Sequence, residues 1–365
     1  MDRAESAPEG ILASVARAVD ALRAGEILVI GDPESGSLAI LAVETATATS
    51  FAPFEASRAI EPSLVLTEER ARTLKVRVYT PGVVALPLGA SIDPAQLRAI
   101  ADPTSDLAEP LKGPFAPLRR DLPPGYAAAV RLAKLAGLLP AVVVGALDAA
   151  PHDATEISIG DIRDYDRAIV ASLKLVTRAR VPLQVSERAE VVAFRAGTGE
   201  PEHIAIVIGD PPRQSPVLAR LHSECFTGDL LGSLRCDCGT QLREGLAALA
   251  KAGGGVLLYL AQEGRGIGLI NKLRAYRLQD QGFDTVEANE RLGFESDERL
   301  YGIAARMLSL LGFRSVRLMT NNPKKVAALK AEGIDVVERV PHAFPATAHN
   351  RDYLRTKAEK SGHLL

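Results

Sequence analysis

The segment "RLHSECFTGDLLGSLRCDCGTQL" contains Cys225, Cys236 and Cys238, the three cysteines of a 365-residue chain. Thiolates are soft ligands, and Cys-x10-Cys-x-Cys offers three of them to one tetrahedral ion, zinc above all. A structural zinc site closes with a fourth Cys or His, and the nearest histidine, His222, stands three residues before Cys225. If His222 binds, the site is closed and structural; if it does not, one position stays open for water, as at a catalytic zinc. Buried cysteines without metal are the plain alternative. Against that stand Arg220, Glu224, Arg235 and Gln241, which would line a sealed apolar pocket badly.

Three further stretches carry chemistry. "QEGRGIGLINKLRAYRLQDQGFDTVEAN" opens with a glycine-punctuated turn, and Glu263 and Arg265 in it could direct backbone N–H groups and a guanidinium at phosphate oxygens. By itself such a turn is more simply an ordinary strand-to-helix connection. "GFESDERLYG" sets Asp297 two residues before Arg299 at an expected helix start, where a solvated capping cluster is the bland reading. "TNNPKK" ends an expected strand and places Thr320 and Lys325 at a helix N-terminus, a natural anion site.

The elements that must hold these residues alternate helix and strand. "ILASVARAVDALRAG" has helical periodicity and stops at Gly25, and "EILVIGD" follows as a short buried strand. Residues 101–126, rich in proline, glycine and charge, read as loop. "AAAVRLAKLAGLLPAVVVGAL" gives helix, turn and strand, and "SIGDIRDYDRAIVASLKL" a closing helix with Asp161 near its start. The pattern then changes to the strands "RAEVVAFRA" and "HIAIVIGD", which places a domain boundary near residue 179. Beyond it "TQLREGLAALAKAGG" (helix), "GVLLYLAQ" (strand), "DERLYGIAARMLSLLGF" (helix), "SVRLMTNN" (strand), "NPKKVAALKAEG" (helix) and "IDVVERV" (strand) complete an α/β layered chain of two domains, 1–178 and 179–365. In the last helix Asn322 should cap, with Pro323 in the first turn and Gly333 past the end. The net charge of −2 offers no basic surface for nucleic acid or anionic lipid. No stretch approaches ~20 uninterrupted apolar residues, and three cysteines form no closed disulfide set, so no membrane span and a cytoplasmic location are expected.

Taken together, "HSECxTGDxxxSLRCDCGxQL", "QEGRxIGLxNKxxAYxLQDxGxDTVEAN", "DxR" and "TNNPxK" resemble GTP cyclohydrolase II of riboflavin biosynthesis, in order and with family-like spacing from about residue 186 onward. The resemblance implies that Cys225, Cys236 and Cys238 hold one Zn2+ with water in the fourth place. It implies that Arg220, Leu221, His222, Ser223, Glu224, Gln241, Glu263, Gly264, Arg265, Thr285, Thr320 and Lys325 contact GTP, whose phosphates bring Mg2+. It makes Asp297 the proton acceptor, Arg299 the nucleophile at the α-phosphorus, and Tyr276 a neighbour of the reacting base. The implied products are 2,5-diamino-6-ribosylamino-4(3H)-pyrimidinone 5′-phosphate, formate and pyrophosphate, and the implied assembly is a homodimer. The competing reading on the same scaffold is a catalytically silent nucleotide-binding regulator.

Residues 1–178 resemble 3,4-dihydroxy-2-butanone 4-phosphate synthase in "AVDALRAGEILVIGDPESGSLAILAVETAT", "AAVRLAKLAGLLPAVVVGAL" and "IRDYDRA". They depart from it where chemistry is needed. The acidic metal-binding loop of that family is reduced to Asp32 and Glu34, and no histidine precedes His152. That is too few hard ligands for a divalent ion, so this half is expected to be a synthase-like domain without its activity.

Overall fold

The computed structural model describes residues 7–32, 36–56, 60–89, 93–147, 154–197, 199–343 and positions 359, 360, 362 and 364. It is a mixed α/β chain with two sheets, divided into two compact units. One comprises residues 1–168 with 270–297, the other 169–269 with 298–365.

The first unit contains α1 (Pro8–Ala24), β1 (Leu28–Asp32), β2 (Gly36–Ala42), α2 (Ala48–Ala56), β3 (Ile60–Thr67), α3 (Glu68–Thr73), β4 (Val83–Pro87), α4 (Pro94–Ala101), α5 (Pro124–Leu135), β5 (Ala141–Leu147) and β6 (Thr155–Ser158). Helix α6 (Ile159–Ser172) follows and runs past the division of the chain. The six strands pair in the order β4-β3-β5-β2-β1-β6, antiparallel except for β1 with β6. Helix α1 buries Ile11, Leu12, Val15, Ala18, Val19 and Leu22 and ends at Gly25 in the left-handed conformation (φ 73°), where a Cβ would lie 2.7 Å from the Thr45 carbonyl oxygen. The expected loop over residues 101–126 holds a short helical turn at Pro103–Ser105, and α5 starts within it at Pro124. Asp32 closes β1; Glu34 and His152 lie outside the described residues.

The second unit contains β7 (Lys174–Arg180), β8 (Ala189–Arg195), β9 (His203–Ile208), β10 (Val217–Ser223), α7 (Cys238–Lys251) and β11 (Gly255–Leu260). Then come α8 (Gly268–Asp280) and α9 (Thr285–Arg291), which lie mainly in the 270–297 segment of the first unit. Helix α10 (Gly302–Leu310), β12 (Ser315–Met319), α11 (Pro323–Ala331) and β13 (Asp335–Val340) complete the second unit. Its seven strands run β13-β12-β10-β11-β9-β8-β7. Strands β13, β12, β10 and β11 are parallel, and β9, β8 and β7 continue antiparallel. From β10 the chain moves to β11 on one side and then to β12 on the other, so the order reverses beside β10. In open α/β sheets ligands gather outside the carboxyl ends of strands at such a reversal.

Strand periodicity explains how β10 serves two layers. Val217, Ala219 and Leu221 enter the core that α10 covers, with Met307 and Leu308. The alternate positions Leu218, Arg220 and His222 take the opposite face, where Leu218 packs with Leu249 of α7. Helix α10 begins at Gly302, later than the sequence suggests, so Asp297 and Arg299 lie in the non-helical approach to it. The Glu298 N–H bonds to the Arg265 carbonyl at 3.0 Å, which draws the chain out of helical pairing there. Asn322 caps α11 through Lys324 N–H at 2.9 Å, with Pro323 in the first turn and Gly333 (φ 81°) beyond the end, as the sequence indicates. Among the described residues no helix is long and apolar enough to cross a membrane.

Two buried histidines brace this unit. His203 Nδ1 accepts from the Ala261 N–H at 3.0 Å, and His342 Nε2 donates to the Gln241 carbonyl at 3.1 Å. Burial pushes each imidazole down to about 4, with the Arg220 charge adding to the effect at His342. The folded chain therefore refuses protons that the unfolded chain accepts below about 6.5. Stability is full above that pH and falls on acidification towards 4, by up to about 1.4 kcal/mol per pH unit for each histidine. Urea titrations at pH 7, 6 and 5 should show the decline. His203→Asn keeps an oxygen for the Ala261 N–H and should flatten the slope by about one proton. An unchanged slope would remove His203 as a cause.

Candidate active site

The three cysteines meet where β10 gives way to α7. Cys225 is 5% exposed and caps a five-residue π-helical turn, Phe226–Leu230, while Cys238 opens α7. Their sulfurs all lie within 4.8 Å of one another, and Cys225 Sγ is 3.8 Å from Cys236 Sγ. Two thiolates on one tetrahedral zinc, each at about 2.3 Å, would stand about 3.8 Å apart. The backbone is shaped to this cluster. A Cβ on Gly228 would lie 2.8 Å from Cys236 Sγ, 2.9 Å from Cys238 Cβ and 3.0 Å from Cys225 Sγ. The Gly228 N–H also donates to Cys225 Sγ at 3.3 Å. The hydrogen bond with Cys225, reinforced by burial, pushes Cys236 up to about 11 against an opposing hydrogen bond from Cys238. The donor set thus fits a soft divalent ion, and no ring nitrogen of His222 is grouped with the three sulfurs.

His222 Nε2 stands 3.1 and 3.0 Å from the two carboxylate oxygens of Asp229. The Tyr259 hydroxyl donates to the same carboxylate at 2.9 Å, as does the Cys225 N–H at 3.0 Å. The His222 ring stacks on Tyr259 with centroids 5.5 Å apart. Burial lowers the His222 pKa against the pull of Asp229, and burial with the Asp229 charge raises that of Tyr259. Neither Asp229 nor Tyr259 is singled out by the sequence reading. Their signal is weak but present: an acid inside a cysteine loop, and one hydroxyl in the otherwise apolar strand "GVLLYL".

Cationic groups reach the same strand ends. Arg220 is 5% exposed; its Nη2 donates to Gln241 Oε1 at 2.5 Å and its Nη1 to the Met319 carbonyl at 3.4 Å, while its Nε has no partner among the described residues. Burial lowers its pKa to about 10, which leaves it charged at neutral pH. Gly245 makes room for it, since a Cβ there would lie 2.8 Å from Arg220 Cδ. Gln241 also donates to Asp237. Lys325 Nζ donates to the Leu221 carbonyl at 2.9 Å, and Arg299 Nη1 to Ser223 Oγ at 3.1 Å. Thr320 Oγ1 accepts from the Asn322 N–H at 3.1 Å. The Glu224 N–H pairs with the Leu260 carbonyl at 2.8 Å, continuing the alignment of β10 with β11.

After β11 the chain makes the turn the sequence marks. Gly264 (φ 63°), Arg265 (φ 65°) and Gly266 (φ 98°) are all left-handed. For Arg265 that conformation costs roughly 1–2 kcal/mol, strain that is concentrated at functional sites. Glu263 braces the turn against the cysteine loop, accepting from the Phe226 N–H at 2.7 Å and the Gly264 N–H at 2.8 Å. Arg220, Leu221, His222, Ser223, Glu224, Gln241, Glu263, Gly264, Arg265, Arg299, Thr320, Lys325 and the cysteines all belong to the second unit; Tyr276, Thr285 and Asp297 belong to the first. There Tyr276 lies under the Lys272 ammonium, 5.7 Å from ring centre to nitrogen, and Thr285 opens α9, accepting from Gln279 at 3.4 Å.

Comparison with known proteins gives this arrangement a family. The family model described as GTP cyclohydrolase II matches residues 174–341. A protein named GTP cyclohydrolase-2 from Azospirillum brasilense is 50% identical over 366 aligned residues, covering 98% of this chain and 95% of its own length. Another of that name from Xylella fastidiosa is 39% identical and covers 96% and 86%. A riboflavin biosynthesis protein RibBA from Synechocystis is 50% identical over 65% of this chain, which spans 46% of that protein. A solved two-domain 3,4-dihydroxy-2-butanone 4-phosphate synthase from A. baumannii aligns over 90% of this chain and 99% of its own at 17% identity, with a TM-score of 0.33, too loose to carry an argument. On the near full-length identity to its relatives, the chain belongs to the GTP cyclohydrolase II family of hydrolases.

Proposed function

We propose that this chain hydrolyses GTP to 2,5-diamino-6-ribosylamino-4(3H)-pyrimidinone 5′-phosphate, formate and pyrophosphate, holding zinc on Cys225, Cys236 and Cys238 and taking GTP as its Mg2+ complex. The observation that carries this reading is the convergence of three thiols with Arg220, Arg299 and Lys325 at the carboxyl ends of β10, β11 and β12. A bound zinc would supply water activation, lowering the pKa of its water to about 7. The protein groups do the rest. Arg220, Thr320, Lys325 and the left-handed turn at Gly264–Arg265 offer cations and N–H donors to the nucleotide, and Gln241 fixes the Arg220 fork.

Arg299 is the proposed nucleophile at the α-phosphorus. A guanidinium is normally always protonated, so its nitrogen must lose a proton as the phosphorus–nitrogen bond forms and pyrophosphate departs; Asp297 is the proposed acceptor. Ser223 Oγ orients the guanidinium by accepting from Nη1. Tyr276 is proposed beside the base, with Glu224, His222 and Thr285 completing the nucleotide contacts. The enzyme is proposed to work in the cytoplasm as a homodimer.

The test is direct. Purified protein with GTP and Mg2+ should release formate and pyrophosphate, whereas a silent nucleotide-binding regulator would release neither. Elemental analysis should find about one zinc per chain. Cys236→Ser should lose zinc and formate release together, and full metal with full activity in that variant would remove the site from consideration.

Arg299→Ala should keep its zinc, since the guanidinium donates to Ser223 and the proposed ligands are the three thiols. Pyrophosphate release should fall at least about 100-fold, the scale of losing one preorganised charged donor. Near-normal release would rule out an essential role.

For residues 1–178 we propose a synthase-like domain without synthase activity. Enolising a sugar phosphate needs a metal held by carboxylates and a histidine, with acid and base groups around it. Asp32 and Glu34 are a thin supply, and residues 1–151 contain no histidine. Ribulose 5-phosphate with Mg2+ should give no dihydroxybutanone phosphate. A metal-dependent product at enzyme-like rates would make the protein bifunctional.

A further inference from the structure

Asp229 has no role in the reaction proposed above, yet its carboxylate takes three donors, from side chains and the backbone, at the site. It lies in the loop between the first and second cysteines, with a side chain only 7% exposed. A carboxylate this deep is costly unless donors surround it, and here three do so from three separate parts of the unit. The Cys225 N–H comes from the cysteine loop at 3.0 Å, the Tyr259 hydroxyl from β11 at 2.9 Å, and His222 Nε2 from β10 at 3.0 and 3.1 Å. The Asp229 backbone adds a fourth link, donating its N–H to the Cys225 carbonyl at 2.7 Å. Both peptide groups flanking the Cys225 Cα are therefore tied to Asp229, and with them the direction of its thiol.

His222 is fixed by the same carboxylate. With Nε2 facing Asp229 and the ring stacked on Tyr259, the imidazole can neither rotate nor offer Nε2 to anything else. A carboxylate partner also makes Nε2 the protonated nitrogen, which leaves Nδ1 as the acceptor.

We propose that Asp229 is a positioning residue that sets two things at once: the grip of the first thiolate on the metal, and the orientation of the His222 strand end towards the nucleotide. The inference rests on the zinc and GTP reading above. Groups that orient a metal ligand typically carry a 10- to 100-fold effect on metal affinity or activity. The two roles separate by substitution. In Asp229→Asn the amide oxygen can still accept from the Cys225 N–H and the Tyr259 hydroxyl, but an amide N–H then meets His222 Nε2–H. The ring must change tautomer or turn. In Asp229→Ala all three donors lose their acceptor. In Tyr259→Phe the carboxylate stays and loses one donor.

The test uses the full-length chain and measures zinc affinity by competition with a chromogenic chelator, KM and kcat for GTP, and melting temperature. The zinc content of the unsubstituted protein is measured first; if it holds no zinc, the reading on which this inference rests falls, and the inference with it. Given zinc, Asp229→Ala should bind it roughly 10- to 100-fold more weakly. Asp229→Asn should keep zinc affinity within a few-fold while KM for GTP rises about tenfold or more. Tyr259→Phe should weaken zinc by a smaller factor, and it decides the metal arm if Asp229→Ala does not fold. Wild-type zinc affinity in Asp229→Ala, or in Tyr259→Phe where that variant has to decide, would overturn the metal role. Unchanged KM in Asp229→Asn would overturn the nucleotide role. A lower melting temperature with both quantities unmoved would make Asp229 a merely structural acid and overturn the proposal whole.

Discussion

The three thiols can meet only because two glycines let the turn at Phe226–Leu230 lie directly on the first turn of α7. Gly228 faces the sulfurs with no side chain between, and a Cβ on Gly239 would lie 2.2 Å from the Gly228 carbonyl oxygen. Neither position could carry alanine without backbone movement. Everything else at the site follows from this contact. It fixes the start of α7, hence Gln241 one turn in, hence the Arg220 guanidinium that Gln241 receives. It also fixes Asp229 at the far end of the π-helical turn, where the carboxylate reaches back to Cys225 and across to two strands.

The sheet beneath supplies the charge balance. Arg220 sits at a position where period-2 alternation demands a residue of the α7 face, and a glycine on α7 lets its stem pass. A buried guanidinium normally needs a partner for each donor. Among the described residues Arg220 instead has one side-chain acceptor, a long contact to a carbonyl and an unpartnered Nε. The pull of Asp237 and Asp229 only partly offsets its burial. Such a cation favours an anion nearby, and the strained turn at Arg265 and the capped start of α11 bring N–H donors to the same strand ends.

How much of this was legible in the sequence depends on range. The cysteine spacing, the glycine-marked turn after β11 and the cap, proline and glycine of α11 are local signals, and each stands where the sequence puts it. Strand β10 went unread although it carries Arg220 to Ser223, because "VLARLHS" mixes charged and apolar residues on a strand buried on both faces, and only neighbouring strands and helices reveal which face is which. The sequence reading assigns no role to His203 or His342. Their partners, Ala261 and Gln241, lie 58 and 101 residues away in the chain. Asp297 and Arg299 were expected at a helix start because "DERLYG" has good first-turn chemistry. A tertiary hydrogen bond from Glu298 to Arg265 overrode that local preference.

The segment 270–297 gives the first unit a packing role that does not depend on any activity of its own. Arg274 forms a forked ion pair with Glu44, at 3.1 and 2.8 Å, and both groups are about one-fifth exposed. Glu44 also accepts the Leu139 N–H at 2.7 Å, and Asn271, fully buried, donates to the Gly137 carbonyl at 3.0 Å. Further along, the left-handed Gly293 lies so close to Thr67 and Pro140 that a Cβ would come within 2.7 and 2.8 Å of them. These are partners that residues 1–168 alone can provide, and the segment they hold carries Tyr276, Thr285 and Asp297. Removing the first 168 residues would take Glu44 from Arg274 and the Gly137 carbonyl from Asn271. Each such loss costs on the order of 1–3 kcal/mol, so losing synthase chemistry would leave selection on this packing intact.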